Sequence, residues 1–132
     1  MRIQDYWSVW NLTDPTDIAA TLSKRHGAGR NTFWLSYGSE LFPVVNIMVN
    51  GDFAYIHYLP GGDHPGFISV GNLPGLEPGG CTEFFLDDSN ERLDLMNEAV
   101  VPFSEALRVA QEFAISSARP KCIQWDSLVE GE

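Results

Sequence analysis

The chain has 132 residues, one domain's worth, and its 44% hydrophobic content with four Trp, eight Phe and four Tyr supplies enough apolar mass to exclude the disordered and fibrous classes. Eighteen Asp plus Glu against eight Lys plus Arg leave a formal charge of −10, which repels phosphate backbones and anionic lipid and so excludes nucleic acid as a direct partner. Two cysteines, Cys81 and Cys122, are too few for a secreted disulfide scaffold. The start Met-Arg-Ile-Gln-Asp-Tyr lacks a basic segment followed by an apolar one, and no apolar run approaches the ~20 residues of a membrane span. The expectation is a single cytoplasmic domain over 1–132 with no membrane contact.

Ile3 to Leu12 interleaves Ile, Tyr, Trp, Val and Leu with polar residues and predicts a first strand. Thr13 or Asp14 can cap a helix over 15–26, with Pro15 in the first position, apolar residues at helical spacing and His26-Gly27 as the stop. Asn31 to Tyr37 reads as a strand with Phe33 and Leu35 on one face and Trp34 and Ser36 on the other. Val44–Val49 and Phe53–Leu59 flank Asn50-Gly51, which predicts an antiparallel hairpin closed by a type I′ turn. A Gly/Pro loop over 60–66 leads to a short strand over 67–70, and Gly71 to Gly80 is too rich in Gly and Pro for regular structure. Short strands are expected over 83–86 and 99–102 with a charged connection between them. A helix capped by Ser104 buries Ala106, Leu107, Ala110, Phe113 and Ala114 and ends at Ala118-Arg119-Pro120. A last strand over 122–125 completes an α+β domain: a mainly antiparallel, twisted sheet of about six to seven strands with two helices on one side.

Signals for catalysis are weak. Neither cysteine sits in a nucleophile signature, and Gly66-Phe67-Ile68-Ser69-Val70-Gly71 has one residue too many between Gly and Ser for a nucleophile elbow. His57, Asp63 and His64 lack the short, repeated spacing of a metal site, and Gly61-Gly62 is followed by an acid and not by a lysine or a helix start. No enzyme, metal or cofactor is expected. Charge is the informative feature: residues 67–132 carry twelve acids and four bases, and Glu77, Glu83, Asp87, Asp88, Glu91, Asp94 and Glu98 face Arg92 as the lone base over 77–98. Phe84, Phe85, Leu86, Leu93, Leu95 and Met96 interleave with them. Apolar anchors ringed by one sign of charge describe a protein-binding surface, in which charge steers encounter and desolvated side chains hold the partner. Glu83, Phe85, Asp87, Asp88, Glu91 and Asp94 are its expected members, with Asp63 and Glu77 in the Gly/Pro loops contributing less.

The hairpin Val45 to Tyr58, the loop Gly62-Asp63-His64-Pro65-Gly66-Phe67, and the ending Ala110-Gln111-Glu112-Phe113, Arg119-Pro120 and Ile123-Gln124-Trp125 together resemble the first of the immunity-protein families of bacterial polymorphic toxin systems. The likeness covers about residues 31–126, and its ending, A-x-E-F then R-P then W, is more distinctive than the generic hairpin. What the resemblance implies is a cytosolic antitoxin encoded beside a secreted toxin, binding and blocking the toxin's C-terminal catalytic domain as a 1:1 heterodimer. It implies as partner a basic, nucleic-acid-acting domain, with zinc deaminases the class often paired with this family. This chain lacks the His-x-Glu and Pro-Cys-x-x-Cys zinc signature of such deaminases and is read as the inhibitor. An acidic adaptor with a different basic protein partner is the alternative. Phe113, Pro120 and Trp125 are read as core and terminal-strand residues, so the resemblance does not locate an interface.

Overall fold

The computed structural model describes residues 1–87, 89 and 91–131. In chain order these form strands β1 (Arg2–Gln4) and β2 (Val9–Asn11), helix α1 (Asp17–Leu22), and strands β3 (Arg30–Ser36), β4 (Val44–Asn50), β5 (Phe53–Leu59) and β6 (Phe67–Ser69). Strands β7 (Cys81–Phe85), β8 (Arg92–Met96) and β9 (Val100–Pro102), helix α2 (Phe103–Ser116) and strand β10 (Trp125–Ser127) follow. An antiparallel sheet runs in the order β10-β6-β5-β4-β3-β1-β2, with β9 also on β5, and β7 and β8 form a separate two-stranded sheet. The fold is the expected α+β arrangement.

Strand β5 is shared: β9 pairs with it at Phe53–Tyr55, and β6 at His57 and Tyr58. Between those two neighbours the Ile56 N–H would be orphaned. Ser69 Oγ accepts it at 3.1 Å and donates to the Ala99 carbonyl at 2.7 Å, so one hydroxyl joins β5, β6 and the start of β9.

Alternation along the strands sorts the residues into two faces. Phe33, Leu35, Val45, Ile47, Val49, Ala54, Ile56 and Tyr58 form one face, covered by Ile18 and Leu22 of α1 and by Ala106, Val109, Ala110 and Phe113 of α2. Each large side chain taken fully from water there contributes roughly 1.5–3 kcal/mol. The Tyr37 hydroxyl donates to the Phe113 carbonyl, and Trp125 Nε1 donates to the Pro120 carbonyl at 2.7 Å. The residues of the distinctive C-terminal motif thus clamp the end of α2 to the sheet. Phe113 and Pro120 are buried, and Trp125 is half-buried against the same core.

On the opposite face the β7–β8 hairpin covers one part of the sheet. Phe84, fully buried, packs with Met48, Val100, Tyr55, Leu93 and Leu95, and Leu73 and Leu76 from the 71–80 loop close this second core. That loop has no regular structure, as its Gly and Pro content requires, yet it is held firmly. Asn97 Nδ2 donates to the Glu77 carbonyl at 2.8 Å, Asn97 Oδ1 accepts from Thr82 Oγ1 at 2.6 Å, and Gly71 N–H donates to the Glu98 carbonyl at 2.8 Å. A Cβ at Gly71 would sit 1.7 Å from the Val100 carbonyl oxygen, so the loop can cross β9 here only as glycine.

Several elements differ from the sequence expectation for local reasons. The first strand is a hairpin, because Asp5 Oδ1 accepts the N–H groups of Trp7 (3.0 Å) and Ser8 (2.9 Å) and turns the chain between β1 and β2. Helix α1 starts at Asp17, since Asp14 holds a turn by accepting the Thr16 N–H at 3.0 Å, and it ends at Leu22, short of the expected His26. Helix α2 starts at Phe103, with Pro102 and not Ser104 as its cap. The register pairs Asn50 with Phe53, so the tight loop is Gly51-Asp52. Only Gly51 of that pair has positive φ (60°), which fits a type II′ turn and not the expected I′. Asp87 to Glu98, read as a connection, contains β8, and the last strand begins at Trp125 instead of Cys122.

Candidate functional site

The acidic segment resolves into a hairpin with an inner and an outer side. Pairing of Cys81 with Met96, Glu83 with Asp94 and Phe85 with Arg92 puts those six side chains on one side, while Thr82, Phe84, Leu93 and Leu95 turn to the sheet. The sequence signal that mixed acids with apolar residues is therefore partly strand alternation: Phe84, Leu93 and Leu95 are the hairpin's own core, and the acids share its outer face with Phe85 and the exposed Met96. Glu83 and Asp94 stand directly opposite, a like-charge pair that costs on the order of 0.2–1 kcal/mol. Arg92 offsets this by reaching both, at 3.0 Å to Glu83 and 3.1 Å to Asp94, with all three side chains about half exposed.

Beyond this pair, Asp87 Oδ1 accepts the Ser89 N–H at 2.9 Å, and the hydrogen bonds from Ser89, side chain and backbone, hold the Asp87 carboxyl below its usual range. Asp87 and Glu91 are exposed, and Leu86 and Leu93 line a small cavity with them. Asp88 lies outside the described residues. Phe85 is half-buried and has a structural task. Its carbonyl accepts from Tyr6 Oη (2.8 Å) and Thr32 Oγ1 (2.5 Å), tying the hairpin to the main sheet, and the Arg30 guanidinium lies 3.8 Å from its ring centroid.

The structure does not bring all the expected residues together. Asn50 Nδ2 donates to the Glu83 carbonyl at 2.9 Å, which places the hairpin's acids beside the β4–β5 turn. Asp63 lies beyond the far end of β5, whose seven residues span roughly 20 Å. Glu77 is exposed at the hairpin's base, its carbonyl held by Asn97. The hairpin group is thus Glu83, Asp87, Glu91 and Asp94, with Glu77 at one end and Asp63 apart from it.

Two surfaces escaped the sequence reading. Asp5, buried, has Oδ2 at 2.9 Å from His26 Nε2 and 3.0 Å from Asn31 Nδ2, and the rings of Tyr6 and Trp7 lie 5.2 and 4.1 Å from that of His26. Burial raises the Asp5 pKa, but the hydrogen bonds from Asn31, Trp7, His26 and Ser8 outweigh it and leave the carboxyl below its usual range. The second surface is the half of the sheet face that the hairpin leaves uncovered, a groove of about 450 Å³ lined by Arg2, Trp34, Val44, Leu59, Leu41 and Phe42 among others. Leu41 is 78% exposed. The Trp34/Ser36 alternation was the available sign of that face.

His57 of β5 and His64 of the Gly-rich loop both hold that loop: His57 Nε2 lies 2.8 Å from the Pro65 carbonyl, and His64 Nδ1 accepts the Gly66 N–H at 2.8 Å. Cys122 is half-buried, and its burial, with Glu112 nearby, pushes the thiol pKa up, away from a nucleophile. Among the described residues no group of three or more His, Cys, Asp or Glu is placed to hold a metal ion, and no helix is long and apolar enough to cross a membrane.

Comparison with known proteins gives the context for these surfaces. The family model described as Immunity protein Imm1 matches residues 11–127. The chain is also 26% identical over 128 residues to a double-stranded DNA deaminase immunity protein of Burkholderia cenocepacia (strain H111), an alignment covering 97% of this chain and 100% of that one.

Proposed function

Since the chain belongs to the Imm1 family of immunity proteins, we propose that it is the cytoplasmic antitoxin of a secreted toxin and covers that toxin's catalytic domain with the outer face of the β7–β8 hairpin. The class of toxin proposed is a nucleic-acid deaminase, in keeping with the name of the Burkholderia relative. A domain that acts on nucleic acid must hold a polyanion in a basic groove, and a face of carboxylates is attracted to the same groove. The observation that carries the reading is that Glu83, Asp87, Glu91 and Asp94 project from one hairpin whose Phe84, Leu93 and Leu95 form its core, while Leu86 and Met96 stay exposed beside the acids. Pairing Glu83 against Asp94 does nothing for folding, so the charge pattern is better suited to recognition than to stability.

The stoichiometry proposed is 1:1, since one hairpin offers one such face. Binding there inhibits by excluding the substrate and needs no chemistry from this chain. The direct test is to co-express the protein with an inactivated catalytic domain of the toxin encoded beside its gene. Co-elution as a 1:1 complex, and loss of deamination when the protein is added to the active domain, are expected. A domain that neither co-elutes nor loses activity overturns the reading in favour of an adaptor with another basic partner.

A further inference from the structure

Tyr6 and Trp7 sit on the turn between β1 and β2, and the fold gives that turn unusual support. The buried Asp5 carboxylate accepts the Trp7 and Ser8 N–H groups through one oxygen and meets Asn31 and His26 through the other, so the turn is fixed from within. Trp7 nevertheless stays 64% exposed, with its ring 4.1 Å from His26 and 6.2 Å from Tyr6. A rigidly held tryptophan left this exposed loses little side-chain entropy when a partner covers it, which is what makes Trp a frequent anchor in interfaces. The turn is also joined to the acidic hairpin: Tyr6 Oη donates to the Phe85 carbonyl at 2.8 Å, two residues before Asp87.

We propose that Trp7 is the aromatic anchor of the same interface, receiving an arginine or lysine side chain of the toxin's catalytic domain on its ring while Asp87 and Glu91 flank that cation. The inference rests on the antitoxin reading above and adds to it the part of the surface that holds the partner after charge has drawn it in. Charge complementarity commits the occupant to a cation. The carbonyl that Tyr6 holds lies two residues before Asp87 at the hairpin's acidic tip, and the indole face is the best π surface for an ammonium or guanidinium, more favourable still once water is excluded. Carboxylates at the rim act mainly on association, whereas a desolvated aromatic anchor acts mainly on dissociation, so the two contributions separate kinetically.

The test is surface-immobilised binding of the inactivated toxin catalytic domain to wild type, Trp7→Ala, Trp7→Phe and Trp7→Lys, each checked for an unchanged melting temperature. Trp7→Ala is expected to raise the dissociation rate about tenfold or more while leaving the association rate within about twofold. Trp7→Phe retains part of the loss, and Trp7→Lys, which sets a like charge against the incoming cation, is the worst. Wild-type binding with Trp7→Ala and Trp7→Lys dissociating at the wild-type rate overturns the anchor and leaves the antitoxin reading standing. No wild-type binding at all overturns both. If Trp7→Ala does not fold, the Phe and Lys variants decide by whether dissociation accelerates in that order.

Discussion

The two faces of the sheet are built by the same rule of strand alternation and serve different ends. The helix-covered face buries Phe33, Ile47, Ile56 and Phe113 completely and joins residues from β1 to β10 into one core. The opposite face is covered only in part, by a hairpin whose second core is small and whose outer side carries facing acids. A large core tolerates no charge and defines the fold. A hairpin laid over a sheet can carry charge on its outer side, because only Phe84, Leu93 and Leu95 are needed for its core. On the proposed reading, recognition is thereby separated from the main source of stability.

The largest expected effect breaks that comparison from the core side. Phe113→Ala removes a fully buried ring from the helix face and should cost about 3–5 kcal/mol in urea unfolding. Phe84→Ala removes an equally buried ring from the hairpin core. It should cost less globally, because it frees the hairpin before the sheet, and it should abolish toxin binding by the molecules that remain folded. A single cooperative transition with equal losses in the two variants would show that the hairpin is not a separable unit.

A smaller effect is pH-linked. The folded Asp5 carboxyl titrates below its ordinary value of 3.8, so it contributes stability that is present above that value and is lost as pH falls through the folded pKa. The melting temperature should therefore drop on acidification below about 3.8, and Asp5→Asn should lower the neutral melting temperature while flattening that part of the acid profile. The smallest effect belongs to Arg92→Ala. The pair it forms with two half-exposed acids is worth about 0–1 kcal/mol, and its removal, which leaves Glu83 and Asp94 uncompensated, should quicken toxin association measured by stopped flow.

The fold class was legible because long-range order here rests on local periodicity. Val44–Val49 is a nearly continuous apolar run, as a strand buried on both faces requires, Phe53–Leu59 alternates in burial, and the Gly between them demands a tight turn. The finer elements depended on side chains whose partners lie far along the chain. Asp5 turns β1 into a hairpin only because His26 and Asn31 are there to hold its carboxylate, a pairing across more than twenty residues that no local pattern announces. Strand β8 was masked by its charges, since Asp94 and Arg92 on the outer side conceal the period set by Leu93 and Leu95. For the candidate site, composition pointed to the right segment but mixed two populations. Phe84, Leu93 and Leu95 belong to the hairpin's core, Phe85 anchors it, and Asp63 lies at the other end of β5. Trp7 was visible only as a strand residue, because its exposure is a property of the turn that Asp5 builds.

The central claim, that the hairpin's acids guide the protein to a basic catalytic domain, is tested most directly by the association rate as a function of salt. The informative variant reverses the exposed Asp87 and Glu91 to lysine and spares Glu83 and Asp94, which hold Arg92. It should fold with stability within about 0.5 kcal/mol of wild type, as exposed changes do. Wild type should associate faster as salt is lowered, toward about 10⁸ M⁻¹s⁻¹, while the variant associates slowly with little salt dependence and fails to protect cells. A folded variant that associates at the wild-type rate in low salt and protects cells normally would contradict the account and move the contact to the uncovered groove beside Trp34 and Phe42.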